Sequence, residues 1–335
     1  MLPAILAFSG PTLSEDERAF FRAADPAGYV LFARNVADRA QLRALTDSLR
    51  DLSGRADLPI LIDQEGGRVA RLQPPEWPAF PASLRFAELY EKAPISAIEA
   101  ARANGEALGL ILAEVGINVD CLPVLDVAQP GAHIVIGDRA LGAEPMRVAA
   151  LGRALLDGLA AAGICGVVKH IPGHGRARAD SHEALPVVEA GEDELAIDIA
   201  PFRALNDAPM AMTAHVLYPA WDSERPATVS PIVIGEVIRG EIGFDGLLMS
   251  DDLAMAALSG TLAERTAAAL AAGCDVALHC SGVLAESEEV AAAAGEMSEA
   301  ASRRLERALA GVAGKASALT YEELAEKRDA LLALA

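Results

Sequence analysis

The stretch from Glu144 to His170, EPMRVAALGRALLDGLAAAGICGVVKH, contains one complete helix and the strand that follows it. Residues Glu144–Ala162 have the apolar spacing of an α-helix, and Gly163 stands where such a helix is expected to end. Gly166–His170 is a short, mostly apolar run with two valines, as expected of a parallel strand that is buried on both faces. A helix that leads directly into a buried strand is the repeating unit of an α/β protein.

The same alternation of apolar runs and helical segments continues on both sides of this stretch. Eight short runs are predicted to be strands: Ala4–Phe8, Gly28–Ala33, Pro59–Asp63, Ile117–Val127, Gly166–His170, Ala208–His215, Gly246–Asp251 and Cys274–Cys280. Seven segments of helical period lie between them: Ser14–Ala24, Asp38–Leu52, Ser96–Glu114, Glu144–Ala162, Glu192–Asn206, Pro231–Ile242 and Leu258–Ala271.

Eight strands that alternate with helices predict an α/β fold, a single (β/α)8 barrel of the TIM type. A doubly wound open sheet is the alternative, although no G-x-G-x-x-G motif follows the first strand, which disfavours its dinucleotide-binding form. We expect one barrel domain over residues 1–335, because no linker rich in Pro, Gly or Ser divides the chain. Residues 283–335 are rich in Ala, Glu and Leu and are predicted to form helices packed on the barrel.

The composition excludes several classes of partner. The 335 residues include 28 Lys and Arg against 48 Asp and Glu, a net charge of −20, which argues against binding to nucleic acid or to an anionic membrane. The four cysteines are scattered, and no apolar stretch reaches the roughly 18 residues of a membrane span. The N-terminal MLPAILAFSG lacks the Lys or Arg of a signal peptide, so we expect a cytoplasmic protein. The composition carries no signal for an oligomeric state.

Polar side chains cluster where the predicted strands end. Asp63, Lys169, His170, His215 and Asp251 each stand at or next to the carboxyl end of an apolar run. In an α/β barrel those ends converge at one mouth, which is where the catalytic groups of such barrels lie. Residues far apart in the sequence are therefore expected to share one pocket.

The residues alone leave some assignments open. Asp251 and Asp252 are adjacent at the end of the seventh run, and because side chains alternate along a strand, only one of them is expected to face the pocket. The residue pattern does not say which one, and Asp252 also fits a cap of a following helix. His215 fits both a site residue and a hydrogen-bonded core group, whereas Asp120 and Asp126 are interpreted as structural.

Six motifs follow one another along the chain: GYVLFARN (28–35), DQEGGRV (63–69), KHIPGHG (169–175), DSH (180–182), TAHV (213–216) and GFDGLLMSDDLAM (243–255). In this combination and order they resemble the NagZ-type β-N-acetylglucosaminidases of glycoside hydrolase family 3. The resemblance covers nearly the whole chain. It implies a single barrel domain, a small carbohydrate substrate, and no metal or organic cofactor.

The resemblance also implies a retaining mechanism with named roles. Asp251 matches the nucleophile of the family, His182 matches its acid/base histidine, and Asp180 matches the carboxylate that orients this histidine. Retention requires a nucleophile at the anomeric carbon and a proton donor near the leaving oxygen, and imidazole suits the second task because its ordinary pKa is about 6.5. The implied sugar-binding residues are Asp63, Arg71, Arg139, Lys169 and His170.

By the same resemblance, the substrate is a cell-wall muropeptide that carries a terminal, non-reducing N-acetylglucosamine on 1,6-anhydro-N-acetylmuramic acid. The alternative from another class is a metal-dependent hydrolase with His170, His174 and His182 as ligands, which is disfavoured because all three lie on one loop with Pro and Gly. A silent sugar-binding barrel and a phosphorolytic enzyme are further alternatives. The complete set of Asp251, His182 and Asp180 argues against the silent barrel.

Overall fold

Eight parallel strands close into a barrel in the computed structural model, which describes residues 1–335. The strands are β1 (Leu2–Leu6), β2 (Pro26–Leu31), β3 (Ile60–Ile62), β4 (Val119–Asp120), β5 (Cys165–Ile171), β6 (Met210–Thr213), β7 (Leu247–Asp252) and β8 (Val276–His279). Each strand pairs with the next one along the chain, and β8 closes the ring by pairing with β1. The predicted (β/α)8 barrel is confirmed, and the open sheet is wrong.

Ten α-helices accompany the strands. They are α1 (Glu15–Ala24), α2 (Arg39–Ser53), α3 (Leu84–Lys92), α4 (Pro94–Glu114), α5 (Pro145–Ala161), α6 (Glu192–Ala204), α7 (Leu262–Ala272), α8 (Leu284–Ala294), α9 (Glu299–Ala310) and α10 (Tyr321–Leu332). A π-helical segment, Val233–Glu241, replaces the α-helix predicted over Pro231–Ile242. The tail forms α8 to α10, and α10 packs against α4. None of the helices has the length and apolar character that a membrane crossing requires.

Capping residues explain where the helices begin and end. Ser14 and Thr261 each accept a hydrogen bond from the backbone N–H of a glutamate three residues later, which satisfies a free donor at the start of α1 and α7. Gly54 and Gly273 end α2 and α7 in the left-handed backbone region, which glycine adopts without strain. The predicted start of α7 at Leu258 is wrong, because the cap lies three residues further on.

Alternation along β5 separates the two apolar clusters of the core. Val168 belongs to the larger cluster, between the barrel and its helices, whereas Cys165 and Val167 belong to the smaller cluster inside the barrel. Lys169 follows in the same alternation and therefore extends into the upper end of the barrel. Leu305 of α9 joins the inner cluster, so α9 closes the opposite end.

A short antiparallel hairpin, Gln64–Gly66 with Val69–Ala70, follows β3 at the barrel mouth. Its turn requires glycine at Gly66 and Gly67, because φ is +91° at the first and +57° at the second. A Cβ atom at Gly66 would also collide with the carbonyl oxygen of Pro81. The DQEGGRV motif therefore forms a tightly packed rim of the mouth.

Candidate active site

One cavity of about 290 Å³ opens at the carboxyl ends of the barrel strands. It is lined by all eight residues that were predicted from the sequence to be catalytic or sugar-binding: Asp63, Arg71, Arg139, Lys169, His170, Asp180, His182 and Asp251. Lys169, His170 and Asp251 lie in the last residues of β5 and β7, and the other five lie in segments that follow β3, β4 and β5. The closure of the barrel therefore brings them together. Glu65, His174, Ser181 and Asp252 line the same cavity.

Asp63, directly after β3, is held between two cations. Its Oδ1 accepts a hydrogen bond from Lys169 Nζ at 2.9 Å, and its Oδ2 accepts one from Arg71 Nη2 at 3.1 Å. Burial alone would raise the pKa of Asp63, but the positive charges of Lys169 and Arg71 outweigh it and hold this pKa well below its ordinary value. Asp63 is therefore a carboxylate at neutral pH.

Glu65 is the principal residue of the cavity that the sequence interpretation missed. It is 3% exposed. Its two carboxylate oxygens accept hydrogen bonds of 2.8 Å from the Arg139 guanidinium, and its Oε1 lies 2.7 Å from Lys169 Nζ. Burial would raise the pKa of Glu65, but Lys169 and Arg139 lower it below its ordinary value. Its position two residues after Asp63 was the available signal, because such residues share one face of an extended segment.

Asp126, interpreted from the sequence as structural, orients His170. Its Oδ2 lies 2.7 Å from His170 Nδ1, and its Oδ1 accepts the backbone N–H of His174 at 2.6 Å. Burial would raise the pKa of Asp126, but the two histidines lower it to about 2. Because a carboxylate only accepts hydrogen bonds, Nδ1 of His170 carries the hydrogen, and Nε2 is the ring atom available to a ligand.

Asp251 directly follows the buried part of β7, which ends at Ser250. Its backbone N–H donates to Thr213 Oγ1 of β6 at 3.2 Å, and its Oδ1 accepts the N–H of Asp252 at 2.8 Å. Burial would raise the pKa of Asp251, but the neighbouring His215 and His170 lower it. The carboxylate is therefore charged at neutral pH and lies against the cavity, as a nucleophile requires.

Asp252 also lines the cavity, so the expectation that only one of the two carboxylates would face it is wrong, but Asp252 is engaged with the backbone. Its Oδ1 accepts the N–H of Ala254 at 3.0 Å and that of Cys280 at 3.1 Å, so it ties the turn after β7 to the end of β8. Burial raises the pKa of Asp252. The alternative that Asp252 caps a following helix does not hold, because turns follow β7 and α7 begins only after Thr261.

Asp180 and His182 form a pair on the loop after β5. The Asp180 Oδ1 lies 2.7 Å from His182 Nδ1 and accepts the backbone N–H of His182 at 2.9 Å. Burial would raise the pKa of Asp180, but the hydrogen bonds from His182 lower it. Since the carboxylate only accepts, Nδ1 of His182 carries a hydrogen and Nε2 faces outward from the pair. The His182 side chain is 67% exposed.

His215 is a fully hydrogen-bonded core group. Its Nδ1 lies 2.7 Å from Thr228 Oγ1, and its Nε2 lies 2.9 Å from the carbonyl oxygen of Asp252. Because a carbonyl only accepts, Nε2 carries a hydrogen, while Nδ1 lies against the threonine hydroxyl. Burial lowers the pKa of His215, so the ring is neutral at neutral pH. Of the two interpretations left open by the sequence, this geometry fits the core group.

No group of three or more His, Cys, Asp or Glu side chains is arranged to hold a metal ion. The three histidines of the zinc alternative have separate partners: His170 contacts Asp126, His174 contacts Ser181, and His182 contacts Asp180. The structure therefore does not support a metal-dependent hydrolase built on this loop.

Comparison with known proteins identifies the family of the chain. Residues 6–313 match the glycosyl hydrolase family 3 N terminal domain. A β-hexosaminidase from Bordetella avium (strain 197N) is 41% identical over 283 residues, which are 83% of this chain and 80% of that protein.

Solved structures share the fold over nearly the whole length. The crystal structure of native NagZ from Neisseria gonorrhoeae superimposes with a TM-score of 0.84 at 32% identity and covers 99% of this chain and 96% of that one. The complex of the same enzyme with N-trifluoroacetyl-D-glucosamine gives a TM-score of 0.86 at 31% identity, covering 99% of this chain and 97% of that one.

Proposed function

This chain belongs to glycoside hydrolase family 3, and we propose that it is a retaining, exo-acting β-N-acetylglucosaminidase. The family and the glycoside hydrolase class predicted from the motifs are confirmed by the match over residues 6–313. The proposed substrate is a muropeptide fragment of cell-wall recycling, from which terminal N-acetylglucosamine is released from 1,6-anhydro-N-acetylmuramic acid. The β-hexosaminidase and NagZ relatives support the choice of sugar. Four unpaired cysteines support a cytoplasmic location.

The proposal rests mainly on one observation: a carboxylate and an imidazole–carboxylate pair line the same cavity. Asp251 contributes a charged carboxylate at the end of β7, and the Asp180–His182 pair contributes an imidazole that keeps one ring nitrogen available. A retaining glycosidase requires these two functions on opposite sides of the anomeric carbon. A binding protein requires neither.

In the first step an Asp251 oxygen attacks the anomeric carbon of the terminal sugar. The bond from that carbon to the leaving oxygen breaks, and the leaving oxygen takes a proton from Nε2 of His182. The product is a glycosyl ester on Asp251, with His182 neutral. Asp180 prepares this step, because its negative charge favours the protonated form of the ring from which the step starts and its hydrogen bond fixes the orientation of the ring.

In the second step the neutral His182 removes a proton from a water molecule. The resulting hydroxide attacks the anomeric carbon, and the bond to Asp251 breaks. Two inversions at one carbon restore the original configuration, so the released sugar keeps the β-anomeric form. His182 ends the cycle protonated, as it began.

The charged residues around Lys169 are proposed to bind the terminal sugar. Asp63 and Glu65 supply acceptors for sugar hydroxyls, whereas Lys169, Arg71 and Arg139 supply donors, and their mutual ion pairs hold them in position before substrate arrives. A cavity of about 290 Å³ lies near the lower limit for small-molecule sites, which suits one sugar unit and hence exo-action.

The decisive experiment traps the glycosyl-enzyme with an activated 2-deoxy-2-fluoro sugar and maps the label by peptide mass spectrometry. We expect one label, on Asp251. The matched control is Asp252→Asn, which should still be labelled on Asp251, because the neighbouring carboxylate has backbone partners instead. A label on Asp252, or hydrolysis with inversion as followed by NMR of the first-formed anomer, would overturn the mechanism.

The natural substrate is tested separately. We expect incubation with GlcNAc–1,6-anhydro-MurNAc peptide to release free N-acetylglucosamine and the anhydro-muramyl peptide, as resolved by mass spectrometry. Cleavage of aryl β-N-acetylglucosaminides without any action on this fragment would contradict the proposed substrate and leave the catalytic assignment standing.

A further inference from the structure

Asp180 and His182, the proposed acid/base pair, flank Ser181, which is buried. Ser181 is 3% exposed, whereas the His182 side chain next to it is 67% exposed. Ser181 is also the only buried residue between Arg178 and Leu185. Whatever fixes Ser181 therefore fixes the positions of both Asp180 and His182.

Two contacts from different parts of the fold hold Ser181. Its Oγ lies 3.3 Å from Nε2 of His174, at the base of the same loop. Its carbonyl oxygen accepts the backbone N–H of Ala257 at 3.1 Å, in the turn that follows Asp251. The second contact connects the acid/base loop directly to the segment that continues from the strand of the nucleophile.

His174 is suited to anchor the loop because it is itself immobile. It is 3% exposed, and its backbone N–H donates to the buried Asp126 at 2.6 Å. Its ring packs edge-on against that of His170, with 5.7 Å between ring centroids. Burial is the main cause that lowers the pKa of His174 to about 4, and the charge of the nearby His170 is the second. The ring is therefore neutral at neutral pH and forms one hydrogen bond with the Ser181 hydroxyl.

The tip of this loop, residues 178–184, makes its other hydrogen bonds within itself. The N–H groups of Glu183 and Ala184 both donate to the carbonyl oxygen of Asp180, which closes a turn within the tip itself. The side chains of Arg178, Glu183 and Ala184 are exposed. Such a turn keeps the internal shape of the tip but does not position it relative to Asp251.

We propose that Ser181 is a positioning residue of the reaction: its contacts with His174 and Ala257, here called the Ser181 anchor, hold the Asp180–His182 pair over Asp251. The inference rests on the proposed acid/base role of His182. Loss of the anchor lets the tip move away as a unit, so that proton transfer to the leaving group fails while the nucleophile remains in place.

The test compares kcat/KM for two aryl β-N-acetylglucosaminides, one with a dinitrophenyl leaving group and one with an unsubstituted phenyl group. An activated leaving group needs little protonation, and kcat/KM reports only the steps up to its departure. We expect Ser181→Ala to lower kcat/KM by about tenfold or more for the phenyl substrate and by less than about threefold for the dinitrophenyl substrate. Ser181→Thr keeps the hydroxyl and should recover most of the loss.

The matched control is Ser287→Ala, since Ser287 is a buried serine on α8 whose hydroxyl has no hydrogen-bond partner. This variant should leave kcat/KM unchanged for both substrates. Thermal unfolding identifies variants that fail to fold, and His174→Gln breaks the same anchor from the other side if Ser181→Ala does not fold. Equal losses on both substrates, no loss, or a larger loss on the dinitrophenyl substrate would overturn the anchor. Absence of N-acetylglucosaminidase activity in the unaltered protein would instead overturn the proposed function.

Discussion

Lys169 and Glu65 form a buried ion pair in the wall of the cavity, with 2.7 Å between Nζ and Oε1. Their side chains are 2% and 1% exposed. The pair is viable inside the protein because each charge has a second partner of opposite sign, Asp63 for the lysine and Arg139 for the glutamate. With Arg71 on Asp63, three cations and two anions form one connected network.

Removal of Glu65 is expected to destabilise the fold strongly. Glu65→Ala leaves the charges of Lys169 and Arg139 buried without this partner, and breaking such a pair typically costs about 3–5 kcal/mol. The free energy of unfolding from urea denaturation measures the effect. The control is Glu99→Ala, which breaks the half-exposed pair with Lys327 and should cost less than about 1 kcal/mol. Similar losses in the two variants would show that the buried network is not stabilising.

Asp251 and Asp252 are expected to respond differently to substitution. Asp251→Ala should lower kcat for an aryl β-N-acetylglucosaminide by about 10⁴-fold or more, the order that loss of a nucleophile costs in other hydrolases. Added azide should restore turnover of an activated substrate and give a product of inverted configuration, because azide attacks from the side that the carboxylate occupied. Asp252→Asn keeps an oxygen for the N–H groups of Ala254 and Cys280 and should retain most activity. Loss of activity in Asp252→Asn alone would reverse the assignment.

The barrel was predictable because its strands are buried on both faces and therefore read as continuous apolar runs. The bounds of β5 and β7 differ from the prediction by only one residue at each end. The fourth run was predicted far too long, as Ile117–Val127 against the observed Val119–Asp120. Pro123, which has no N–H to donate, interrupts the predicted run, and beyond it Val124 pairs with Lys169 only in an isolated bridge.

The hairpin after β3 and helix α3 were not predicted, because both are short and lie among glycines and prolines that indicate a loop. The cavity, too, was predictable in one respect and not in another. The motifs nominate residues that line it, since barrel topology brings strand ends together. The spacing from Asp63 indicates that Glu65 faces the cavity, but the roles of Glu65 and Asp126 depend on partners 74 and 44 residues away, which no local pattern identifies.

Substitution of His182 is expected to act through the leaving group. His182→Ala should lower kcat/KM by about 10²–10⁴-fold for substrates with poor leaving groups, which is the range attributed to general acid catalysis, and far less for dinitrophenyl substrates. Glu183→Gln is the matched control, because Glu183 is an exposed neighbour on the same loop. Equal losses on activated and unactivated substrates in steady-state assays would contradict the acid role.

Asp126 is expected to make stability depend on pH below about 4. Its folded-state pKa of about 2 lies below the ordinary value of 3.8, so its contribution is fully present above the ordinary value and is lost as the pH falls through 2. The shift corresponds to about 2 kcal/mol at neutral pH. Asp126→Asn should therefore lower the free energy of unfolding at pH 7 and flatten its decline between pH 5 and pH 2, as measured by urea denaturation at each pH. Asp207→Asn, which removes an exposed carboxylate paired with Arg153, should leave both the value and the slope nearly unchanged. An Asp126→Asn variant as acid-sensitive as the unaltered protein would mean that His170 and His174 are held without help from this charge.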